Sequence, residues 1–524
     1  MLTVRPWDES QLIFNYLQQR QKSISRLFFA CYLILGLLVV KDYGVNWDDY
    51  FSRLNGLTNW NYIFKHDNSL FTSSEKYHGP FIEIGLVGVE KVFRLRDSRA
   101  ILLGHHVCDF LLFFLASLAF FFSARILFET QLWALTATVM LIITPRIFAE
   151  SFYNSKDLAF LSIIILWFFS LLKLLNKSSM ALLILNSLLA AFAIDVRLLG
   201  LLLVPTALVL LLHQALTVPD LRNRYLLFCP FFPLLVFAFV VLFWPVLWTA
   251  PFSRFGEAFS EMKKYPWEGH MLYFGRNIYG PLLPWHYLPV SIVITTPLFF
   301  VLLWLAGLFY LFQNLLRDYA SFFREKFVWL AIAALSFGPV CIVIAMHSVV
   351  YDFWRHVYFI YPFILLIATY GLKSLFETLK PNRRKVFAGV FAAYLLSLLG
   401  TIIYLHPYEN TYFNTLAAVG LKPIEKKFEI DYWGLSYRQG LAYLLKHNPP
   451  SAKIKVFAGN RVANANLEIL KPKERERFEF VERMDSASYY ITNHRQDFNQ
   501  PRGPIEYEIE KLGYPILTIY RCSN

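Results

Sequence analysis

Apolar residues come in long uninterrupted blocks, at 26–42, 100–123, 132–149, 157–172, 179–194, 198–214, 225–248, 287–314, 328–349, 356–374 and 386–405. A run of about 20 such residues matches the bilayer core, where a backbone satisfies its own polar groups as a helix. The blocks predict a polytopic α-helical membrane protein with about 11 transmembrane helices. Charged residues are 17% of the 524, against about 25% in a soluble chain. The formal charge of +13 is therefore read as loop charge that sets orientation, and no nucleic-acid partner is expected. Residues 1–26 are polar and no small-residue cleavage site follows the first run, so that run is expected to be a retained span.

Lys and Arg gather in alternate connections: Arg20, Lys22 and Arg26; Arg125; Lys173 and Lys177; Arg222 and Arg224; Arg317, Arg324 and Lys326; Lys380, Arg383, Arg384 and Lys385. Such loops stay cytoplasmic. The N-terminus is thus placed inside and everything after residue 405 outside, in a bacterial inner (plasma) membrane. Hydropathy drops after Leu405. The expected division is a transmembrane catalytic domain at 1–405 and a small extracytoplasmic α/β domain at 406–524. In the latter, strands are expected at 453–458, 487–492 and 515–521, and helices at 436–446 and 462–470. Segment 79–93 reads as a helix in the interface plane.

The outer side receives the polar chemistry. Asn46-Trp47-Asp48-Asp49-Tyr50 follows the first run and carries two adjacent carboxylates. Attack by a hydroxyl or amine on a sugar C1 is helped by one carboxylate that accepts the proton and another that orients the attacking group. A loop acid in this position also commonly caps the next helix. Arg146, Lys156, Arg197, Arg276 and Arg355 fall on the same side, with His78, His286 and His356. Together they could hold a departing phosphate, although a lone basic residue at a helix end is usually an interfacial anchor. His105 and Asp109, at i and i+4 in the second run, are expected to pair with each other. Cofactors are uncertain: His78, His105, His286 and Glu75 leave a divalent cation open, with no diagnostic metal spacing. No Walker loop, Rossmann fingerprint or internal repeat is present.

These residues resemble the GT-C superfamily of polyprenyl-phosphate-sugar-dependent glycosyltransferases. They are most similar to the protein O-mannosyltransferases (glycosyltransferase family 39) and the lipid A aminoarabinose transferases. Val45-Asn46-Trp47-Asp48-Asp49-Tyr50 looks like their Asp-Glu loop, with Asp for the usual Glu. Tyr77-His78-Gly79-Pro80-Phe81 is similar to their His-Pro-Pro-Leu stretch, with Gly for the first Pro. Pro145-Arg146 through Lys156-Asp157-Leu158 resembles the segment joining their third and fourth spans. The resemblance implies inverting transfer from a polyprenyl-phosphate sugar, with Asp48 as base and Asp157 as a supporting acid. It makes the basic residues binders of the lipid phosphate, and the acceptor a protein, lipid A or another glycan. The stretch Phe428-Glu429-Ile430-Asp431-Tyr432-Trp433-Gly434-Leu435-Ser436-Tyr437 is shared with bacterial members and is expected to pack over the pocket.

The competing reading is a polytopic lipid or solute transporter or flippase. That class needs midplane ionisable groups or broken helices in two matching halves. Here the polar groups gather at one face.

Overall fold

The computed structural model describes residues 9–263, 267–495, 497, 499 and 503–522; the first eight residues of the polar N-terminal stretch lie outside it. Among the described residues, nine helices are long and apolar enough to cross a membrane, and Gln131–Ile142 and Met180–Val196 are shorter apolar helices. Their exposed faces are aliphatic and aromatic. The last of them, Pro381–Leu405, buries little of its surface inside the protein, as a lipid-facing helix should. Helices Leu298–Arg317 and Tyr361–Thr378 cross closely where Gly307 and Gly371 meet. A methyl group on Gly307 would stand 2.0 Å from the Ile367 carbonyl oxygen, so only glycine permits that approach.

Two expected blocks are broken, each at a proline. The block at 132–149 becomes Gln131–Ile142 followed by a short buried helix, Pro145–Glu150. Proline starts a helix more readily than it continues one, and the turn carries Arg146 and Glu150 into the interior. The block at 287–314 divides into Tyr287–Thr295 and Leu298–Arg317 around Pro297. Segment 79–93 is the helix Phe81–Val92. Its Glu90 takes both Arg53 (2.8 and 2.9 Å) and His105 (3.1 Å). The expected His105–Asp109 pair is thus replaced: His105 reaches across to the neighbouring helix, where a carboxylate already faces an arginine.

After Leu405 the chain forms a five-stranded mixed sheet. Its order is Phe478–Phe480, Ile454–Ala458, Tyr489–Thr492, Tyr514–Arg521, Ile505–Lys511, with the first three strands parallel and the rest antiparallel. Three of these strands and the helix Tyr437–His447 fall where the alternation places them. Phe478–Phe480 and Ile505–Lys511 are too short or too polar to signal from sequence. The expected helix at 462–470 is only Val462–Ala465, ending at Asn466, which bonds another segment. Its side chain accepts from the Val45 N–H and donates to the Val45 carbonyl, both at 3.0 Å. Arg438 Nη1 donates to the Tyr43 carbonyl at 2.6 Å. Both contacts grip the strand of chain leading into Asp48. Beneath them Tyr43 stacks on Phe152 and Phe152 on Phe110, joining the tail to the membrane helices in one apolar core.

Candidate active site

The loop at Asn46 is built by one side chain. Asn46 Oδ1 accepts from the N–H groups of Asp48 (2.7 Å) and Asp49 (3.1 Å), an Asx turn that opens the helix Asp49–Lys65. Asp49 returns the contact: its carboxylate accepts from the Asn46 backbone N–H and side-chain amide at 3.1 and 3.0 Å. Burial, together with the neighbouring Asp48 charge, pushes the Asp49 carboxyl up to about 7, against the pull of those Asn46 donors. Both of its oxygens are engaged in shaping the turn. Asp48 sits at the cap position but caps nothing with its side chain. It points instead to Arg355, whose Nη1 donates to Oδ2 at 2.8 Å, and Oδ1 has no partner among the described residues. Burial opposes its charge, yet Arg355 and then Lys156 outweigh this and hold the Asp48 carboxyl below its ordinary value.

Arg355 is the hub. It is 2% exposed, whereas Asp48 is 36% exposed and Asp157 is fully buried. The Nη1 that holds Asp48 also reaches Asp157 at 3.1 Å, and Nη2 reaches Asp352 at 3.3 Å. The guanidinium is packed against the rings of Trp433 (4.7 Å) and Tyr351 (4.9 Å). Asp157 begins the helix Asp157–Lys177, and its second oxygen takes Arg197 from the end of Met180–Val196. Asn154 orients it, accepting from its N–H at 2.7 Å and donating to Oδ2 at 3.2 Å. Both oxygens of Asp157 are thus engaged, Oδ1 by Arg197 and Oδ2 by Arg355 and Asn154.

Lys156 stands one residue before Asp157. Among the described residues no carboxylate pairs with its ammonium within 4.0 Å. Burial and then Arg197 lower its pKa, while Glu83, Asp48 and Glu75 oppose them. His78 faces the same space, with Nδ1 2.6 Å from Glu75 Oε2. Burial and then Lys156 lower the His78 pKa, against the pull of Glu75. His356 makes an edge contact with Tyr351, and its buried Nδ1 has no hydrogen-bond partner among the described residues. The glycine beside His78 has a steric cause: a methyl on Gly79 would lie 1.8 Å from the Asp195 carbonyl oxygen. Asp195 meanwhile accepts the Phe81 N–H at 2.7 Å. Gly79→Ala is expected to cost about 1–3 kcal/mol by forcing this turn off Asp195, measured as a lowered unfolding midpoint of the detergent-solubilised protein.

Three residues grouped with the phosphate binders lie elsewhere. Arg146 is caged by Phe353 (4.3 Å), Phe413 (4.9 Å) and Tyr432 (5.8 Å), with Nε donating to the Tyr412 carbonyl at 2.9 Å. An arginine so buried among rings braces the loop before Arg355, the segment at Tyr412 and Phe413, and the stretch that follows Phe428. Arg276 is exposed on the hairpin of strands His270–Tyr273 and Arg276–Tyr279, and His286 bonds Tyr273 at 2.6 Å. Neither touches the acid–arginine network. The adjacency of Asp352 to Arg355 in sequence already allowed a local ion pair, which the structure contains; the residues that sequence reasoning missed are Glu150, Arg495 and the contact of Trp433 with the hub. Glu150 accepts from Tyr432 (2.6 Å), Tyr358 (2.8 Å) and Asn154 (2.7 Å), tying the tail stretch to the loop that carries Asp157. The stretch at 428–437 was the signal for Trp433; nothing local marks Arg495. Among the described residues no group of three or more His, Cys, Asp or Glu side chains is placed to hold a metal ion.

The fold has structural kin. The chain is similar to ArnT from Cupriavidus metallidurans in the apo state, with a TM-score of 0.51 at 12% identity, covering 95% of this chain and 98% of that one. The same protein bound to undecaprenyl phosphate gives 0.48 at 11% identity over the same shares. An Archaeoglobus fulgidus oligosaccharyltransferase tethered to an acceptor peptide gives 0.49 at 11% identity, covering 88% of this chain and 65% of that one. No family model matches the sequence, and no curated protein matches it. The fold is that of the ArnT structure: a bundle of long apolar helices with a sheet-bearing region after the last of them.

Proposed function

We propose that this chain is an integral-membrane inverting glycosyltransferase that moves a sugar from a polyprenyl-phosphate donor to an acceptor at the outer face of the membrane. The observation that carries the reading is the pairing of opposites at one half-open spot. A partly exposed carboxylate, Asp48, is held ionised by a buried arginine, and its charge is felt by Lys156, which has no carboxylate within 4.0 Å among the described residues. As the acceptor oxygen or nitrogen forms its bond to C1, its proton passes to the free Oδ1 of Asp48. The bond from C1 to the phosphate oxygen breaks with its electron pair, and Lys156, Arg197 and His78 take up the charge on the leaving phosphate. Asp157 and Asp49 do not touch the reacting atoms. They fix the guanidinium groups and the turn that aim Asp48.

The helix ends support the outer face. Asp157–Lys177 runs from the site to Lys173 and Lys177, and Arg355–Thr378 runs from the hub toward Lys380 and Arg383. Pro219–Phe243 starts at Arg222 and Arg224 and ends toward the site loops. Each basic end is the far end, as positive charge retained in the cytoplasm requires. A transporter reading would place the ionised groups near midspan; here they sit where helices begin.

The test is binding of undecaprenyl phosphate to the purified full chain. Lys156→Gln is expected to weaken binding by about 10- to 100-fold, since a phosphate in a half-buried site loses a charge partner. Gly79 and the core are untouched by that change, so the unfolding midpoint should hold. Wild-type protein that does not bind the lipid phosphate, or a Lys156→Gln variant that binds equally well, would remove the donor assignment.

A further inference from the structure

The hub arginine is itself held from outside the membrane part. Asp352 gives one oxygen to each of two arginines: Oδ2 to Arg355 at 3.3 Å and Oδ1 to Arg495 at 2.5 Å. Arg495 comes from the turn after the strand Tyr489–Thr492, some 140 residues later in the chain. It is 8% exposed. It also lies 3.4 Å from Glu429, donates to the Tyr432 carbonyl, and packs over the ring of Trp47 at 5.5 Å. Trp47 is the residue immediately before Asp48. Asp352 and Phe353 both adopt left-handed backbone, φ 55° and 63°, which costs energy in non-glycine residues and persists only where neighbours impose it. Two such neighbours are the Tyr287 hydroxyl, which accepts the Phe353 N–H at 2.8 Å, and Thr295, which accepts the Trp354 indole N–H at 2.7 Å. The third is Arg495.

We propose that Arg495 is a positioning residue for the reaction: through the Asp352 carboxylate it sets Arg355, and through Arg355 it sets Asp48. The inference rests on the reading of Asp48 as the reacting carboxylate, but the link itself exists without turnover. Arg355 must divide two Nη groups among three carboxylates. With Arg495 in place, Asp352 is anchored and its loop presents Arg355 to Asp48 and Asp157. Without Arg495, Asp352 has one cation left and its loop loses the contact that fixes its backbone, so Arg355 is freed from its place. The region after Leu405 is then part of the machinery, since the arrangement that aims Asp48 closes only when Arg495 is docked.

The test uses the full chain in detergent at neutral pH and the guanidinium reagent phenylglyoxal, with modified peptides counted by mass spectrometry. In the wild type Arg355, Arg146 and Arg197 should all be protected. In Arg495→Gln, which keeps the bulk and loses the charge, Arg355 should react about tenfold faster and Arg197 should keep its rate, because Arg355 and not Arg197 is joined to Asp352; Arg146, caged by Phe353 and Tyr432, should gain less than Arg355. Should Arg495→Gln fail to fold, the isosteric Asp352→Asn removes the same link from its middle and should give the same selective gain. Unchanged protection of Arg355, or an equal gain at all three arginines, would overturn the proposal; the latter would mean general loosening. In cells, sugar transfer should fall about tenfold in Arg495→Gln and recover at least in part in Arg495→Lys, which restores the charge. A wild type with no transferase activity would defeat the functional reading and leave the selective reactivity of Arg355 to be judged by itself.

Discussion

Asp48→Asn should lower turnover by about 100- to 10,000-fold, the range lost when a positioned proton acceptor is removed, with undecaprenyl phosphate still bound. Asparagine fills the same space and can still accept from Arg355 Nη1, so the loop keeps its shape. What goes is the negative charge that receives a proton as the acceptor attacks. The pH dependence has a definite sign. Asp48 is held below the ordinary carboxylate value, so its ionised form should persist on the acid side of the usual range and activity should fail only below it. Asp49, pushed up to about 7, titrates in the opposite direction from its reference value. Were it the base, activity would fall off below neutral pH instead. A pH–rate profile on the same donor separates the two aspartates, and Asp49→Asn should leave the acid limb where it was.

Arg355→Ala is expected to be the most damaging single change, because it removes the shared cation of three carboxylates. Breaking a buried charge pair from one side leaves the partner uncompensated and costs about 3–5 kcal/mol. Here Asp157 is fully buried and Asp352 nearly so, while Asp48 can turn toward solvent. The loss should appear both as a drop in the unfolding midpoint and as absent transfer. Arg355→Lys should not restore activity: an ammonium is a point donor and cannot serve three acids from two separated nitrogen atoms. Asp157→Asn tests the same assignment from the other side. It should weaken the hold on Arg355 and Arg197 together and lower transfer, with Asp48 chemically intact.

Much of the architecture was legible because bilayer physics writes it in long apolar runs, which composition alone can find. The breaks at Pro145 and Pro297 were not, since a proline inside an apolar block is also compatible with a kinked span. Asp48, Lys156, Asp157, Arg197 and Arg355 could be grouped because the alternation of spans predicts each on the outer side. Arg146 met the same criterion and is separated only by tertiary packing: three aromatic rings, all from distant parts of the chain, close around it. Arg276 stands on an exposed hairpin and His286 is tied to that hairpin through Tyr273; among the described residues neither bonds Arg355 or its carboxylates. Arg495 was illegible for a different reason. It lies in a polar turn among many charged residues, and only the docking of the sheet region brings it to Asp352.

The central claim is tested most directly by mass spectrometry of envelope lipids and proteins from cells with and without this chain. Loss of one hexose- or pentose-sized mass is predicted in its absence, restored by the wild type and not by Asp48→Asn. An unchanged envelope, or full restoration by Asp48→Asn, would contradict a transferase built around that carboxylate.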